Sequence, residues 1–115
     1  MLVNKNYMSG RRFEYQTMKI LEKNGYTALR TAGSHGFADV IAFNEEHVRF
    51  IQCKCIKNAE KQRKTIITQF RDSLLINKTP YFTLKEVWIK DKTTGKIEAW
   101  LYTQEMMIDF TIKDK

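Results

Sequence analysis

The sequence contains two cysteines, two histidines and one proline, and no apolar run approaches the roughly 20 residues that a membrane-spanning helix needs. Cys53 and Cys55 lie too close in one strand-like segment to form an ordinary disulfide, which fits a reducing compartment. Only His35 and His47 could add soft ligands, so the Cys-x-Cys pair reads more simply as small strand residues than as a zinc site. The opening stretch MLVNKNYMSGRRFEY lacks the continuous apolar segment of a signal peptide. The expectation is a soluble, cytoplasmic protein (of the host cell, if viral) with no membrane partner. There is also no internal repeat, low-complexity tract or linker. A chain of 115 residues is then one domain, 1–115, with a single modest core and room for one site.

What the chain has in excess is positive charge. Twenty Lys and Arg stand against 13 Asp and Glu, for a net charge of +7. That balance favours an anionic partner, most commonly a phosphate backbone. The cations cluster: Arg11 and Arg12 open the first helical segment, and Lys54, Lys57, Lys61, Arg63 and Lys64 follow one another with only Glu60 among them. A charge run alone is more often a solvated face than a binding surface. Two such runs flanking one candidate site change that balance.

Phe13, Thr17, Ile20 and Leu21 recur at helical spacing in residues 10–24, with Ser9 as the expected N-cap and Gly25 as the stop. Residues 26–31 read as a short strand and 32–36 as a small-residue loop. ADVIAF (38–43) is almost continuously apolar, as in a strand covered on both faces. NEEH then turns the chain into VRFIQCK (48–54), which completes a hairpin. A second helix is expected over about 60–76, where Ile66, Phe70 and Leu74 repeat every four residues, and KEVWIKD and KIEAWLYT form a second hairpin around KTTG. The last residues, QEMMIDFTIKDK, fit either a helical turn or an edge strand. The order predicts a mixed α/β domain.

Three charged residues stand out against this pattern. Glu14, with Met18 and Leu21 at i+4 and i+7, borders the core-facing stripe of the first helix. Asp39 precedes Val40-Ile41-Ala42-Phe43, where a lone carboxylate would be desolvated without a compensating cation. Alternation puts Phe50, Gln52 and Lys54 on one face of the next strand and Ile51 and Cys53 on the other. Gln52 and Lys54 then lie close to Asp39 if the two strands pair. A carboxylate, an amide oxygen and an ammonium at one hairpin end suit a hard cation such as magnesium. A lysine there can orient or deprotonate an attacking water and stabilise charge on phosphorus.

Glu14, ADVIA with Asp39, and IQCK with Gln52 and Lys54 together resemble the PD-(D/E)xK nuclease superfamily. Within it, GRRFEYQTMKILEKNGYTALRTAGSHGFADVIAF is most similar to the archaeal-type Holliday junction resolvases, including those of archaeal viruses, and the resemblance covers residues 9 to about 75. It implies a restriction-endonuclease-like domain with a central mixed β-sheet flanked by helices. The implied activity is a metal-dependent endonuclease resolving four-way DNA junctions by paired symmetric incisions, with Mg2+ or alternatively Mn2+ as cofactor. Two-fold related cuts from one site per subunit imply a homodimer, for which Ile67, Phe70 and Leu74 of the second helix and Trp88 and Trp100 are the interface candidates. Carried over, Asp39 is the central metal ligand, Glu14 binds or organises metal and water, and Lys54 assists the water or the transition state. Gln52 and the Cys53 backbone carbonyl are further ligands, and Ser34 lies in the loop that reaches the scissile strand. Arg11, Arg12, Arg30, His35, Lys57, Lys61, Arg63 and Lys64 are the expected DNA contacts, reading shape through phosphates. Two positions depart from the family pattern. Ala38 replaces a frequent proline, and Gln52 replaces the usual acid, removing one negative charge. The alternatives are a flap, nicking or repair nuclease of the same fold, a non-catalytic branched-DNA-binding module, which Gln52 favours, and an adaptor whose charge is incidental.

Overall fold

The computed structural model describes residues 5–31, 38–76, 79, 83–102 and 107–112. The chain folds as α1 (Lys5–Lys23), β1 (Thr27–Arg30), β2 (Val40–Phe43), β3 (Val48–Ile56), α2 (Ala59–Ile76), β4 (Thr83–Asp91), β5 (Ile97–Tyr102) and β6 (Met107–Ile112). The strands form one sheet in the order β1-β2-β3-β4-β5-β6. Every neighbouring pair is antiparallel except β3 and β4, which are parallel and connected through α2. This is the mixed sheet with flanking helices that the sequence predicts, and the ambiguous C-terminal segment resolves as the edge strand β6.

Local chemistry sets the element ends. After α1, Gly25 takes φ 86°, and the amides of Gly25 and Tyr26 donate to the carbonyls of Glu22 and Leu21. That is a Schellman stop, in which the left-handed residue is best a glycine. The helix begins earlier than expected, at Lys5, so Ser9 lies inside it and is not its cap. Nothing between Lys5 and Met8 breaks a helix, and the cost of Gly10, about 1 kcal/mol, is too small to stop propagation. In the β2–β3 turn the Asn44 side chain accepts from the amides of Glu46 and His47, both at 2.8 Å. At the start of α2, Asn58 adopts φ 55° and the Ala59 amide donates to the Asp91 carboxylate at 3.2 Å. A turn residue of one hairpin thus caps a helix far away in sequence.

The two helices cover opposite faces of the sheet. α1 packs Phe13, Ile20 and Leu21 against Val40, Ala42, Ile51, Trp88 and Ala99. α2 packs Ala59, Ile66 and Leu74 against Val87, Ile89 and Tyr102 on the other side. Leu74 and Trp88, two of the expected interface residues, are therefore core, at 0% and 1% exposure. Ile67, Phe70 and Trp100 are partly buried against the α2 cluster. The even-numbered residues of β3 face α2 and the odd-numbered ones face α1, as Phe50 and Ile51 demonstrate.

One expectation about β2 fails. Val40 and Ala42 are fully buried beneath α1, but Phe43 is 43% exposed, as is Leu29 at 45%. The strand is covered on one face only, because α2 spans β3, β4 and β5 and does not reach the β1–β2 hairpin. A run of apolar residues does not distinguish the two situations.

Candidate active site

The sheet opens where β2 begins. The Asp39 amide donates to the Ile51 carbonyl at 2.8 Å, the last backbone rung joining this part of the chain to β3. β3 continues past it to Ile56. The next β3 amide on that side belongs to Cys53, and it donates to the Asp39 carboxylate, Oδ2, at 2.9 Å. The aspartate side chain thus replaces a missing strand partner and is fixed at the fork. In extended backbone the N–H and C=O of one residue point to the same side, so the Cys53 carbonyl also turns toward the opening. The Cys53 thiol points the other way, under α1, where it lies 3.5 Å from the Thr17 hydroxyl. Burial pushes that thiol well up.

Two other elements end or pass at this fork. Arg30 closes β1, and its guanidinium donates to Glu14 Oε1 of α1 at 3.1 Å, with both side chains 18% exposed. Burial holds the Glu14 carboxyl above its ordinary value; the Arg30 hydrogen bond opposes this and the charge of Asp39 adds to it. Burial likewise raises Asp39, against the Cys53 amide and the charges of Lys54 and Arg30. The two carboxylates and two cations therefore act on one another electrostatically, although they come from four different elements. Sequence reasoning paired Glu14 with Asp39 but missed that Arg30 binds Glu14 directly. The only signal for that contact is an arginine at the end of a short strand.

Gln52 lies on the same face of β3 as Lys54, and both are half-buried. The Gln52 amide oxygen, Oε1, is buried and has no hydrogen-bond partner among the described residues. An acceptor left in that state costs about 1–3 kcal/mol, so it invites a donor or a cation. Among the described residues no three His, Cys, Asp or Glu side chains gather into a metal-binding group. A cation at the fork would rest on two carboxylates and neutral oxygens. All these donors are oxygen, the set that suits magnesium rather than zinc.

Several of the basic residues are exposed on the elements that flank the fork. Arg11 and Arg12 are exposed on α1 one turn before Glu14, and Lys57, Lys61 and Lys64 are exposed where β3 passes into α2. Arg63 differs: its Nε lies 2.6 Å from Glu98 Oε1 and its guanidinium stacks 5.7 Å from the Trp100 ring centroid, so its charge is matched within the fold. Ser34 and His35 lie outside the described residues. Tyr15, which sequence reasoning passed over, is exposed beside Glu14 with Arg11 and Arg30 against its ring, at 5.9 and 5.1 Å from the centroid.

A mixed sheet with a helix on each face is the architecture of the restriction-endonuclease-like class. The family model for the archaeal Holliday junction resolvase, Hjc, matches residues 5–71, and the chain belongs to that family of four-way junction resolvases. Its fold is similar to the 1.6 Å structure of Archaeoglobus fulgidus Hjc, a Holliday junction resolvase from an archaeal hyperthermophile. The TM-score is 0.51 at 20% identity, over 89% of this chain and 83% of that one. No curated protein matches.

Proposed function

We propose that the protein resolves four-way DNA junctions as a metal-dependent endonuclease, cutting two strands symmetrically as a homodimer. The observation that carries the catalytic part is the fork itself. Glu14 and Asp39, half-buried carboxylates, act on each other electrostatically where β2 and β3 part, and the Lys54 ammonium acts on Asp39. Gln52, on the same face of β3 as Lys54, adds a buried amide oxygen with no hydrogen-bond partner among the described residues. Asp39, Glu14, Gln52 Oε1 and the Cys53 carbonyl would hold a divalent cation. Such an ion supplies Lewis-acid polarisation of the phosphoryl oxygen and a water of lowered pKa. Lys54 orients the attacking water and offsets negative charge gathering on phosphorus. The Cys53 amide keeps Asp39 in one orientation, and Arg11, Arg12, Lys57, Lys61 and Lys64 hold flanking phosphates. Ser34 and His35, in the loop before Asp39, are proposed as further contacts to the cleaved strand.

A second reading is favoured by Gln52, which leaves the site one negative charge short. On that reading the protein binds branched DNA without cutting it. One experiment separates the two: an end-labelled four-way junction is incubated with the protein in magnesium, in manganese and in chelator. Paired incisions symmetric about the junction are expected in metal only. Asp39→Asn should bind the junction as tightly as the wild type and cut at least about 100-fold more slowly. Binding without cleavage in either metal selects the second reading, and equal cleavage of flap or duplex DNA selects another nuclease of the same fold.

A further inference from the structure

We propose that Tyr15 is a positioning residue that holds Arg11 and Arg30 side by side as a two-guanidinium phosphate clamp next to the Glu14 carboxylate. The inference rests on the DNA-cleaving reading of the fork and extends it to how one flanking phosphate is gripped. Tyr15 lies off the buried stripe of α1, whose core positions are Phe13, Thr17, Ile20 and Leu21, and its side chain is 44% exposed. A tyrosine in that position contributes little to packing. Its ring is nonetheless occupied, with Arg11 at 5.9 Å from the centroid and Arg30 at 5.1 Å. Arg11 comes from one helical turn earlier, the i−4 neighbour that shares a helix face. Arg30 arrives from β1 and donates to Glu14 in addition.

Two guanidiniums on one aromatic ring repel each other, and the carboxylate nearest them, Glu14, is already bonded by Arg30, whose charge also acts on Asp39. The arrangement makes physical sense when an anion with several acceptor oxygens joins it. A phosphate diester accepts from two guanidiniums at once, and arginine is suited to such forked recognition. The ring's role is to remove rotamer freedom from both side chains before DNA arrives. Because Arg30 also holds Glu14, a phosphate seated in the clamp lies beside the carboxylates of the fork.

The test measures DNA affinity in chelator, so that no cleavage contributes, for a four-way junction and for a duplex of equal length. Tyr15→Ala should weaken binding to both about five- to tenfold, the loss expected for two partly exposed cation–π contacts. The slope of log affinity against log salt should also fall by up to about one phosphate contact. Tyr15→Phe, which keeps the ring and loses the hydroxyl that Arg11 and Arg30 hydrogen-bond, should recover both values in part, and circular dichroism melting should be unchanged in either variant. Affinity within about twofold of wild type and an unchanged salt slope for Tyr15→Ala on both DNAs would overturn the clamp. Failure of the junction reading has a different signature, wild-type protein binding junction and duplex equally. In that case the loss on Tyr15→Ala still decides the clamp.

Discussion

Asp39 answers two demands with one side chain. Its carboxylate satisfies the Cys53 amide that β2 no longer reaches, and its remaining acceptor capacity faces the fork. The electrostatic consequence has a definite sign. Burial raises the folded-state pKa of both Glu14 and Asp39, so the folded chain keeps their protons to higher pH than the unfolded chain does. Stability from these two groups is therefore lost as pH rises from the ordinary carboxylate range through their folded values. Asp91 has the opposite sign, because amide hydrogen bonds, the Thr93 amide first, lower its pKa; its contribution is lost on acidification. A third carboxylate at the fork should deepen the first effect. Gln52→Glu, compared with wild type in chelator, should lose more melting temperature at pH 7 than at pH 4. In magnesium at pH 7 the difference should shrink or reverse, and the variant should reach half-maximal cleavage at lower metal concentration. Calorimetric melts at the two pH values, with and without metal, read the effect.

At the scale of elements, the parallel neighbours β3 and β4 are tied to each other by an ion pair whose carboxylate is buried. Arg49 of β3 donates to Glu86 of β4 through Nε at 2.7 Å and a terminal nitrogen at 2.6 Å, while the Trp88 indole donates to the same carboxylate at 2.9 Å. The Arg49 guanidinium also lies 5.0 Å from the Tyr26 ring and 5.8 Å from the Trp88 ring. The Glu86 side chain is 1% exposed, so its charge depends on this partner. Removing one member of such a pair costs about 3–5 kcal/mol, whereas removing both costs far less. Glu86→Gln should thus lower stability by about 3 kcal/mol, with Trp88 still bonded through the amide oxygen. Adding Arg49→Met should recover most of the loss. Urea titrations of the two single variants and the double variant, in a mutant cycle, check the coupling.

For the whole molecule, the topology gathers the chemistry at one end. β1 finishes, β2 starts and β3 runs past them at the same edge of the sheet, bringing Arg30, Asp39 and Lys54 together with Glu14 of the overlying helix. On the proposed mechanism each such end makes one incision, and two chains together resolve a junction. Sedimentation should give twice the monomer mass at micromolar concentration. Mixed dimers of wild type and Asp39→Asn should nick one strand of the junction without resolving it, seen as product on denaturing but not on native gels. Intact resolution by mixed dimers would show that one site makes both cuts.

The sequence by itself determined the elements and which residues are candidates for the site. Helical spacing in α1, alternation in β3 and turn residues such as Asn44 and Gly25 are local properties of the backbone. They suffice to place Gln52 and Lys54 on one face, and with the motif resemblance they single out Glu14 and Asp39. Tertiary structure decided what depends on which surfaces meet. α2 covers β3 to β5 and leaves Phe43 and Leu29 exposed, a choice that no apolar run records. Arg63 turned inward to Glu98, and Arg30 was bound to Glu14 across 16 positions of chain. The physical reason is the same in each case. A side chain's periodicity is set by its neighbours in sequence, but its charge partner is set by the register and packing of elements that are distant in sequence.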